Sequence, residues 1–313
     1  MTFFKKVLAY SLTDNVDLSV DTLQAALSEK LARPLGGDEL RTYGFTTPLP
    51  RVDGVQSQIL AHPCGDGILI CAESWFRKVP SRAVNAEVDK KVSEIEAAQD
   101  RKVKGKERRE LKELVISGMI PTLVPDCKHT TALILPAQNL ILVETGTPSA
   151  AEDLLSTLRE VLGSLPLRPL RTMQSPADGM TAWLKSGAAP DGFTILDSAV
   201  LAGEKDGKKA SKARLSDMDL SSEEVQLHLA TGRKASKQAL AWENKLSFKL
   251  TDKLVLEGIK FDDLIHDDAA QAAGSGDVLQ HFDASMTIMS KTLGNLATAL
   301  TNAFGGEDKP QAA

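Results

Sequence analysis

The amino-acid sequence predicts a mixed α+β fold divided into several subdomains. Short apolar runs of strand length alternate with segments in which apolar residues recur every three or four positions. One long charged segment carries an amphipathic pattern that predicts a helical hairpin, and the chain ends in its longest regular helical pattern. A chain of 313 residues is long enough for a large core and for two or three domains.

The first predicted subdomain, residues 1–80, has a β-α-β order. Residues 3–12 are predicted to form a strand, and residues 67–72 form a second, short and buried strand. Between them, residues 17–31 carry leucines at helical spacing, and this spacing predicts a helix.

The second predicted segment, residues 81–125, contains the helical hairpin. Its apolar positions follow at steps of four, four and three: Val84, Val88, Val92 and Ile95. Residues 101–112 hold seven basic residues against two acids, and Gly105 within them is predicted to lie in a turn. We therefore expect two helices that pack as a hairpin with a basic tip near residues 101–109.

The third predicted segment, residues 126–170, combines a strand hairpin over residues 130–144 with a helix. A capping box that begins at Ser149 predicts a helix that ends near Gly163. The two prolines within residues 165–170 exclude a helix there, and we expect this stretch to cross between domains.

The last predicted subdomain, residues 171–306, is again mixed. Ser175 and Pro176 begin a predicted helix that ends at Gly187. The elements predicted next are a strand at 193–196, a basic loop at 203–214, a helix from a capping box at Ser221 to Gly232, and strands at 234–242, 245–250 and 254–261.

The final helix has the clearest pattern in the chain. Its apolar residues recur at intervals of three or four: Val278, Phe282, Met286, Met289, Leu293, Leu296, Leu300 and Phe304. Gly305 and Gly306 end it, and the polar residues 307–313 are expected to form a disordered tail.

Overall charge and cysteine content restrict the class of protein. A net charge of −5 argues against a uniformly basic nucleic-acid coat, but it does not exclude DNA binding, because local charge decides binding. The three cysteines lack CxxC spacing, and no apolar run reaches the length of a membrane span or signal peptide. We therefore expect a cytoplasmic protein with no membrane partner.

No catalytic motif is complete. Residues 203–209 differ from a phosphate-binding loop, because three residues rather than four separate the glycines and a lysine replaces the Ser or Thr. No histidine is marked as a base for a nucleophile. We expect no catalytic residue, no cofactor and no enzymatic activity.

Two groups of residues carry metal-binding side chains. The first contains His62, Cys64 and Cys71, together with the separate pair Cys127 and His129. Its spacings lack the tight pairs of zinc sites, and a cysteine in an apolar strand acts as a small hydrophobe. The second is an acidic cluster: Asp262, Asp263, Asp267 and Asp268. This cluster suits a magnesium-dependent nuclease but is more typical of a solvated loop, so we expect no metal site and keep the nuclease as an alternative.

Basic residues gather in three groups along this acidic chain. The hairpin group contains Lys102, Lys104, Lys106, Arg108, Arg109 and Lys112. The other two contain Lys208, Lys209, Lys212 and Arg214, and then Arg233, Lys234 and Lys237. Each group alone is typical of a solvated face. Together they favour a shared surface that contacts phosphates without reading sequence, and no aromatic residues interleave with them to stack single-stranded bases.

A series of short motifs also runs along nearly the whole chain. They include Phe3-Phe4-Lys5, Tyr43-Gly44-Phe45, Leu69-Ile70-Cys71-Ala72, Leu162-Gly163-Ser164-Leu165-Pro166, Ser222-Glu223-Glu224, Ala239-Leu240-Ala241-Trp242 and Phe282-Asp283-Ala284. None is diagnostic alone, but their order and spacing are specific. In these motifs the chain resembles the RdgC family of recombination-associated proteins.

This resemblance implies a ring-shaped homodimer with a positively charged hole that encircles duplex DNA. It implies nucleoid association, little sequence preference, binding to single strands that is weaker or similar, and antagonism of the RecA recombinase. The helical hairpin would be a protruding finger. The apolar residues after it would either help to close the ring as a dimer interface or belong to the core: Met119, Ile120, Leu123 and Val124. Asp217 and Met218 depart from the more basic family form, which moves the expected DNA contact to residues 208–214.

Three functions therefore stand as hypotheses. The first is a non-enzymatic DNA-binding ring that modulates RecA-dependent homologous recombination. The second is a nuclease that uses the acidic cluster, and the third is a protein-binding scaffold without a DNA role. A gel-shift series against salt, with and without magnesium, distinguishes them.

Overall fold

The computed structural model describes residues 3–52, 54–203, 211–274 and 276–309. The chain divides into two compact units. Unit 1 comprises Met1–Glu29, Thr47–Cys71 and Thr130–Ala313, and unit 2 comprises Lys30–Thr46 and Ala72–His129.

The described residues contain eight α-helices and twelve strands, which confirms the mixed α+β prediction. The strands are β1 (Lys6–Leu12), β2 (Arg41–Thr46), β3 (Ala61–Cys64), β4 (Gly67–Arg77), β5 (Pro125–Leu135), β6 (Leu140–Val143), β7 (Leu167–Pro169), β8 (Phe193–Ala202), β9 (Lys212–Leu215), β10 (Lys234–Trp242), β11 (Leu246–Thr251) and β12 (Leu256–Phe261). The helices are α1 (Val20–Ser28), α2 (Ser81–Gln99), α3 (Gly105–Met119), α4 (Pro148–Leu162), α5 (Pro176–Ser186), α6 (Glu223–Ala230), α7 (Asp263–Ala273) and α8 (Val278–Ala303).

Unit 1 contains a large sheet in the order β4-β5-β6-β1-β12-β11-β10-β8-β9, with β3 paired to β4. Residues 67–71 of β4 and 130–135 of β5 belong to unit 1, whereas residues 72–77 of β4 and 125–129 of β5 belong to unit 2. Along this sheet, each pair of neighbouring strands from β5–β6 at one end to β8–β9 at the other is antiparallel. β1 joins the two halves of the sheet, because residues 8–11 pair with β6 while Lys6 and Val7 pair with β12. The stretch predicted to cross between domains contains β7, which pairs with β1 inside unit 1.

The core of unit 1 confirms the predicted final helix. Asp277 caps α8 through a capping box with Gln280. The apolar face of the helix buries Met286, Met289 and Leu293 in the same core cluster as Val7 and Leu142 of the sheet. Positive φ angles at Gly305 and Gly306 follow the end of the helix, a conformation that glycine adopts without strain.

Unit 2 contains the predicted helical hairpin. α2 and α3 pack through a small cluster of three buried valines, Val84, Val88 and Val115. α2 ends at Gln99, and the next residue, Asp100, has a φ of 47° that turns the chain. Gly105 is the first residue of α3, so the turn lies at residues 100–104 and not at the glycine as predicted.

Several local predictions were wrong in detail. α4 begins at Pro148 after Thr147, because proline suits the first helical position, so Ser149 is not its N-cap. The hydroxyl of Ser221 donates to Asp219, and Ser222 is the N-cap of α6.

Two stretches predicted to be loops contain regular structure. Within residues 203–214, β9 forms because it pairs with β8 and buries Leu215. Asp262 caps α7, which forms over the predicted acidic loop and buries Ile265 and Ala269 at helical spacing.

Candidate nucleic-acid interface

One exposed face of the unit 1 sheet gathers basic side chains from five strands. Residues opposite one another on adjacent antiparallel strands share a face. Lys212 and Arg214 of β9 pair with Ala202 and Val200 of β8. On the other side of β8, Ala202 and Val200 pair with Lys234 and Lys237 of β10. The register therefore places these four cations on the same side of the sheet.

The same face continues to the middle of the sheet. Lys237 pairs with Thr251 of β11. Lys249 is two positions from Thr251 on the same strand, so it lies on the same side of the sheet as Lys237. Glu257 pairs with both Lys249 and Lys6. Ser247, two positions before Lys249, pairs with Lys260. We call this surface the basic face, and it comprises Lys6, Lys212, Arg214, Lys234, Lys237, Lys249 and Lys260.

The opposite side of these strands explains why the cations point outward. Alternate residues are buried in the unit 1 core, among them Leu201, Leu215, Phe248 and Leu250. Because side chains alternate along a strand, burial of this set directs the neighbouring Arg214 and Lys249 to the opposite side, where both are exposed.

Two cations of the basic face are already paired. The Lys237 ammonium lies 2.5 Å from a Glu257 carboxylate oxygen, and the Lys234 ammonium lies 2.7 Å from Asp178. Within the described residues, Lys6, Lys212, Arg214, Lys249 and Lys260 are exposed and have no ion-pair partner. These five are therefore open to phosphate.

The structure brings together only part of the predicted second and third basic groups. Lys212, Arg214, Lys234 and Lys237 share the basic face, whereas the Arg233 guanidinium lies 2.6 Å from Nδ1 of His228. Lys208 and Lys209 lie outside the described residues.

Sequence reasoning missed three members of the basic face. Lys6, Lys249 and Lys260 lie in strands that were predicted, and each is flanked by at least one buried apolar residue that faces the core. The alternation of buried and polar residues in Leu246–Thr251 was the available indication that Lys249 faces outward.

The predicted hairpin cations fall into two classes. Arg108 forms an ion pair with Asp89 of α2, and Lys106 lies 4.0 Å from Glu110. The remaining four are exposed and have no ion-pair partner in the described chain: Lys102, Lys104, Arg109 and Lys112. Arg109 and Lys112 are three residues apart, so they share one side of α3.

Arg101 stabilises the hairpin turn. Its guanidinium donates two hydrogen bonds, of 2.7 and 2.6 Å, to the Glu107 carboxylate. This contact holds the pKa of Glu107 below its ordinary value. The charge of Arg101 is therefore used within the turn, and the exposed neighbouring cations are the ones available to a ligand.

The four apolar residues after the hairpin are not equivalent. Ile120 is buried, and Met119 packs partly buried against the valine cluster. Leu123 is partly buried, whereas Val124 is 85% exposed. Val124 is thus the member of this set that remains open to a partner.

The acidic residues around α7 do not converge on one point. Asp262 accepts a hydrogen bond from the Leu264 N–H as the helix cap, and Asp263, Asp267 and Asp268 are exposed. Among the described residues these aspartates form no group of three donor atoms close enough to bind one ion. The described geometry therefore lends no support to the nuclease alternative at this cluster.

The histidine and cysteine residues divide between the units. In unit 1, His62 lies 3.2 Å from Asp283, and burial raises the pKa of the Cys64 thiol to about 12. In unit 2, Cys127 and His129 meet Glu73, and burial, followed by the charge of Glu73, raises the pKa of the Cys127 thiol. The sequence offered Cys127 and His129 as a pair, but Glu73 was missed.

Within the described chain, the helices are too short or too polar to span a lipid bilayer.

Comparison with known proteins gives one consistent family. The family model described as "Putative exonuclease, RdgC" matches residues 2–307. A Pseudomonas fluorescens protein called "Recombination-associated protein RdgC" is 43% identical over 310 residues, which is 99% of each chain. Proteins of the same name from Pseudomonas entomophila and Pseudomonas aeruginosa are 43% and 41% identical, again over 99% of each chain. The resemblance read from the short motifs is confirmed, and the chain belongs to the RdgC family.

Proposed function

We propose that this protein binds the phosphate backbone of duplex DNA without sequence preference and acts in recombination without cutting the DNA. The observation that carries the proposal is the basic face, where five exposed cations without ion-pair partners in the described chain lie on one surface of an acidic protein. Lysine and arginine side chains contact phosphates without reading base identity. The name of the relatives agrees with a role in recombination.

The hairpin supplies a second DNA-contacting surface in this proposal. Its four exposed cations without ion-pair partners in the described chain occupy the turn and one side of α3, and it corresponds to the finger that the family resemblance implies. Each phosphate that a cation neutralises contributes about 0.9 to the slope of log affinity against log salt. Binding is therefore expected to weaken steeply as salt rises.

The assembly in this proposal is a homodimeric ring that encircles the duplex. Val124 is exposed beside the hairpin in sequence, and Leu114 of α3 is 64% exposed. The proposal assigns these two side chains to the contact between subunits. By occupying the duplex, the ring opposes RecA-promoted strand exchange and associates with the nucleoid.

The test is fluorescence anisotropy of two unrelated labelled duplexes, and of a single strand, across a range of salt. The double variant Lys249→Glu, Lys260→Glu removes two cations of the basic face. We expect weaker binding and a salt slope that is smaller by about one for each lysine that contacts phosphate. Lys291→Glu, on the exposed side of α8, is the matched control and should bind like the wild type. An unchanged slope in the double variant would exclude the basic face as the contact.

The description of the family model favours one alternative, an exonuclease. End-labelled duplex incubated with magnesium separates the two functions. The proposal expects intact DNA with and without EDTA, whereas shortening that requires magnesium and disappears in Asp263→Asn with Asp267→Asn establishes the nuclease. Absence of any DNA binding at low salt would exclude both DNA functions and leave the protein-binding scaffold as the remaining hypothesis.

A further inference from the structure

Three metal-binding side chains of different chemistry meet on one face of two neighbouring strands in unit 2. Cys127 and His129 are two positions apart on β5, so they point to the same side of the strand. Glu73 lies on β4, which is the neighbour of β5 in the sheet. The donor atoms of the three side chains all lie within 4.8 Å of one another.

The surroundings orient the carboxylate of Glu73. The Trp75 indole N–H donates to one carboxylate oxygen, Oε1. The other oxygen, Oε2, lies 3.3 Å from Nε2 of His129. The Glu73 side chain is only 15% exposed, whereas His129 is 57% exposed. One donor is therefore held in place while another borders solvent, from which an ion can enter.

We propose that Glu73, Cys127 and His129 form a site for a zinc-class divalent transition metal, with a fourth position open to water or another ligand. Zinc binds thiolate, imidazole and carboxylate at about 2.0–2.3 Å in a tetrahedron, which sets neighbouring donors about 3.5 Å apart. The observed separations need only small side-chain rotations to reach this geometry. A thiolate and an imidazole do not suit magnesium or calcium, which prefer oxygen donors.

A simple ion pair between His129 and Glu73 is the competing explanation. In that arrangement the Cys127 thiol hydrogen-bonds to the same carboxylate, so the three side chains meet only through Glu73. Metal binding uses all three donors, and it displaces the thiol proton to solvent. This inference is independent of DNA binding, because none of the three residues belongs to the basic face or to the hairpin cations.

The test uses the full-length chain without an affinity tag, stripped with a chelator and dialysed. Zinc is titrated against a chromophoric competitor, and cobalt(II) is titrated as a spectroscopic substitute. We expect one equivalent of tight binding and a near-ultraviolet thiolate-to-cobalt band. Cys127→Ser should abolish that band, and Cys127→Ser and His129→Ala should each weaken zinc binding at least 100-fold.

Two further variants separate a metal site from a structural contact. Trp75→Phe removes the N–H that orients Glu73 and should weaken zinc binding 10- to 100-fold, as loss of a supporting hydrogen bond does. His62→Ala removes a histidine that faces a carboxylate in unit 1 and should leave zinc binding unchanged. Substoichiometric binding by the wild type, a cobalt spectrum without the thiolate band, or equal affinity in Cys127→Ser overturns the proposal.

Discussion

At the scale of single residues, Glu144 links the fold of unit 1 to pH. Burial raises the pKa of its carboxyl group to about 7, although the Lys5 N–H that donates to the carboxylate acts in the opposite direction. A carboxyl group whose pKa is raised by folding stabilises the fold while it is protonated. That contribution is complete below its ordinary pKa of about 4.5 and is lost as the pH rises through about 7.

Glu144→Gln should remove this pH dependence. We expect the free energy of unfolding of the wild type to fall by on the order of 1 kcal/mol between pH 5 and pH 8 relative to the variant, because partial solvent access reduces the full effect of the shift. Urea unfolding at the two pH values measures the difference. Glu113→Gln, an exposed carboxyl on α3, is the control, and parallel pH profiles for wild type and Glu144→Gln would contradict the assignment.

At the scale of elements, the α2–α3 hairpin combines a small core with a charged exterior. Val84, Val88 and Val115 are its fully buried apolar residues, and most of the other residues of the two helices are partly or fully exposed. An element with so few buried side chains opens at a lower free energy than the sheet core. Its stability therefore depends on a few valines.

Val115→Ala should destabilise the hairpin by about 1–2 kcal/mol, because it removes two methyl groups from a core of three valines. Hydrogen exchange read by mass spectrometry should show faster exchange in α2 and α3. Ser117→Ala, two residues away at an exposed position of α3, should leave exchange almost unchanged. Equal effects of the two variants would mean that the valine cluster does not hold the helices together.

The exposed cations of the α2–α3 hairpin are expected to contribute together to DNA binding. Lys104→Glu with Arg109→Glu should weaken duplex binding and reduce the salt slope by about one for each phosphate that is no longer neutralised, because these side chains have no ion-pair partner in the described chain. Arg108→Glu instead breaks the ion pair with Asp89 and should act first on hairpin stability. Fluorescence anisotropy across a range of salt measures the effect on DNA binding, and hydrogen exchange measures the effect on hairpin stability. An unchanged salt slope in the double variant would mean that the hairpin tip does not touch phosphate.

At the scale of the whole molecule, the proposed ring requires a stable dimer. If the protein forms the proposed ring, Val124→Asp should shift it from dimer to monomer at micromolar concentration, because the variant would place a charge in the proposed apolar contact between subunits. Light scattering measures the mass, and Val55→Asp, at a valine 70% exposed in unit 1, is the matched control. A monomeric wild type would exclude the ring itself.

Periodicity in the sequence predicted most elements, because a helix or strand imposes its own spacing on its buried residues. The predicted final helix, the helical hairpin and the strands between residues 234 and 261 all appear in the structure. α7 was missed, because its aspartates dominate a pattern in which only Ile265 and Ala269 are buried. β9 was missed for a related reason: a four-residue strand becomes stable only when it pairs with β8.

The sequence by itself determined the family and, in the elements that it predicted, the side on which a residue lies, since both follow from the order and spacing of nearby residues. Only the tertiary structure decided which of these residues are neighbours. Strand pairing brought Lys212, Lys249 and Lys260 onto one face, and ion pairing set Arg108 apart from the exposed cations of the hairpin. The same pairing of strands set Glu73 beside Cys127 and His129, because contacts between strands that are distant in sequence leave no local periodicity to read.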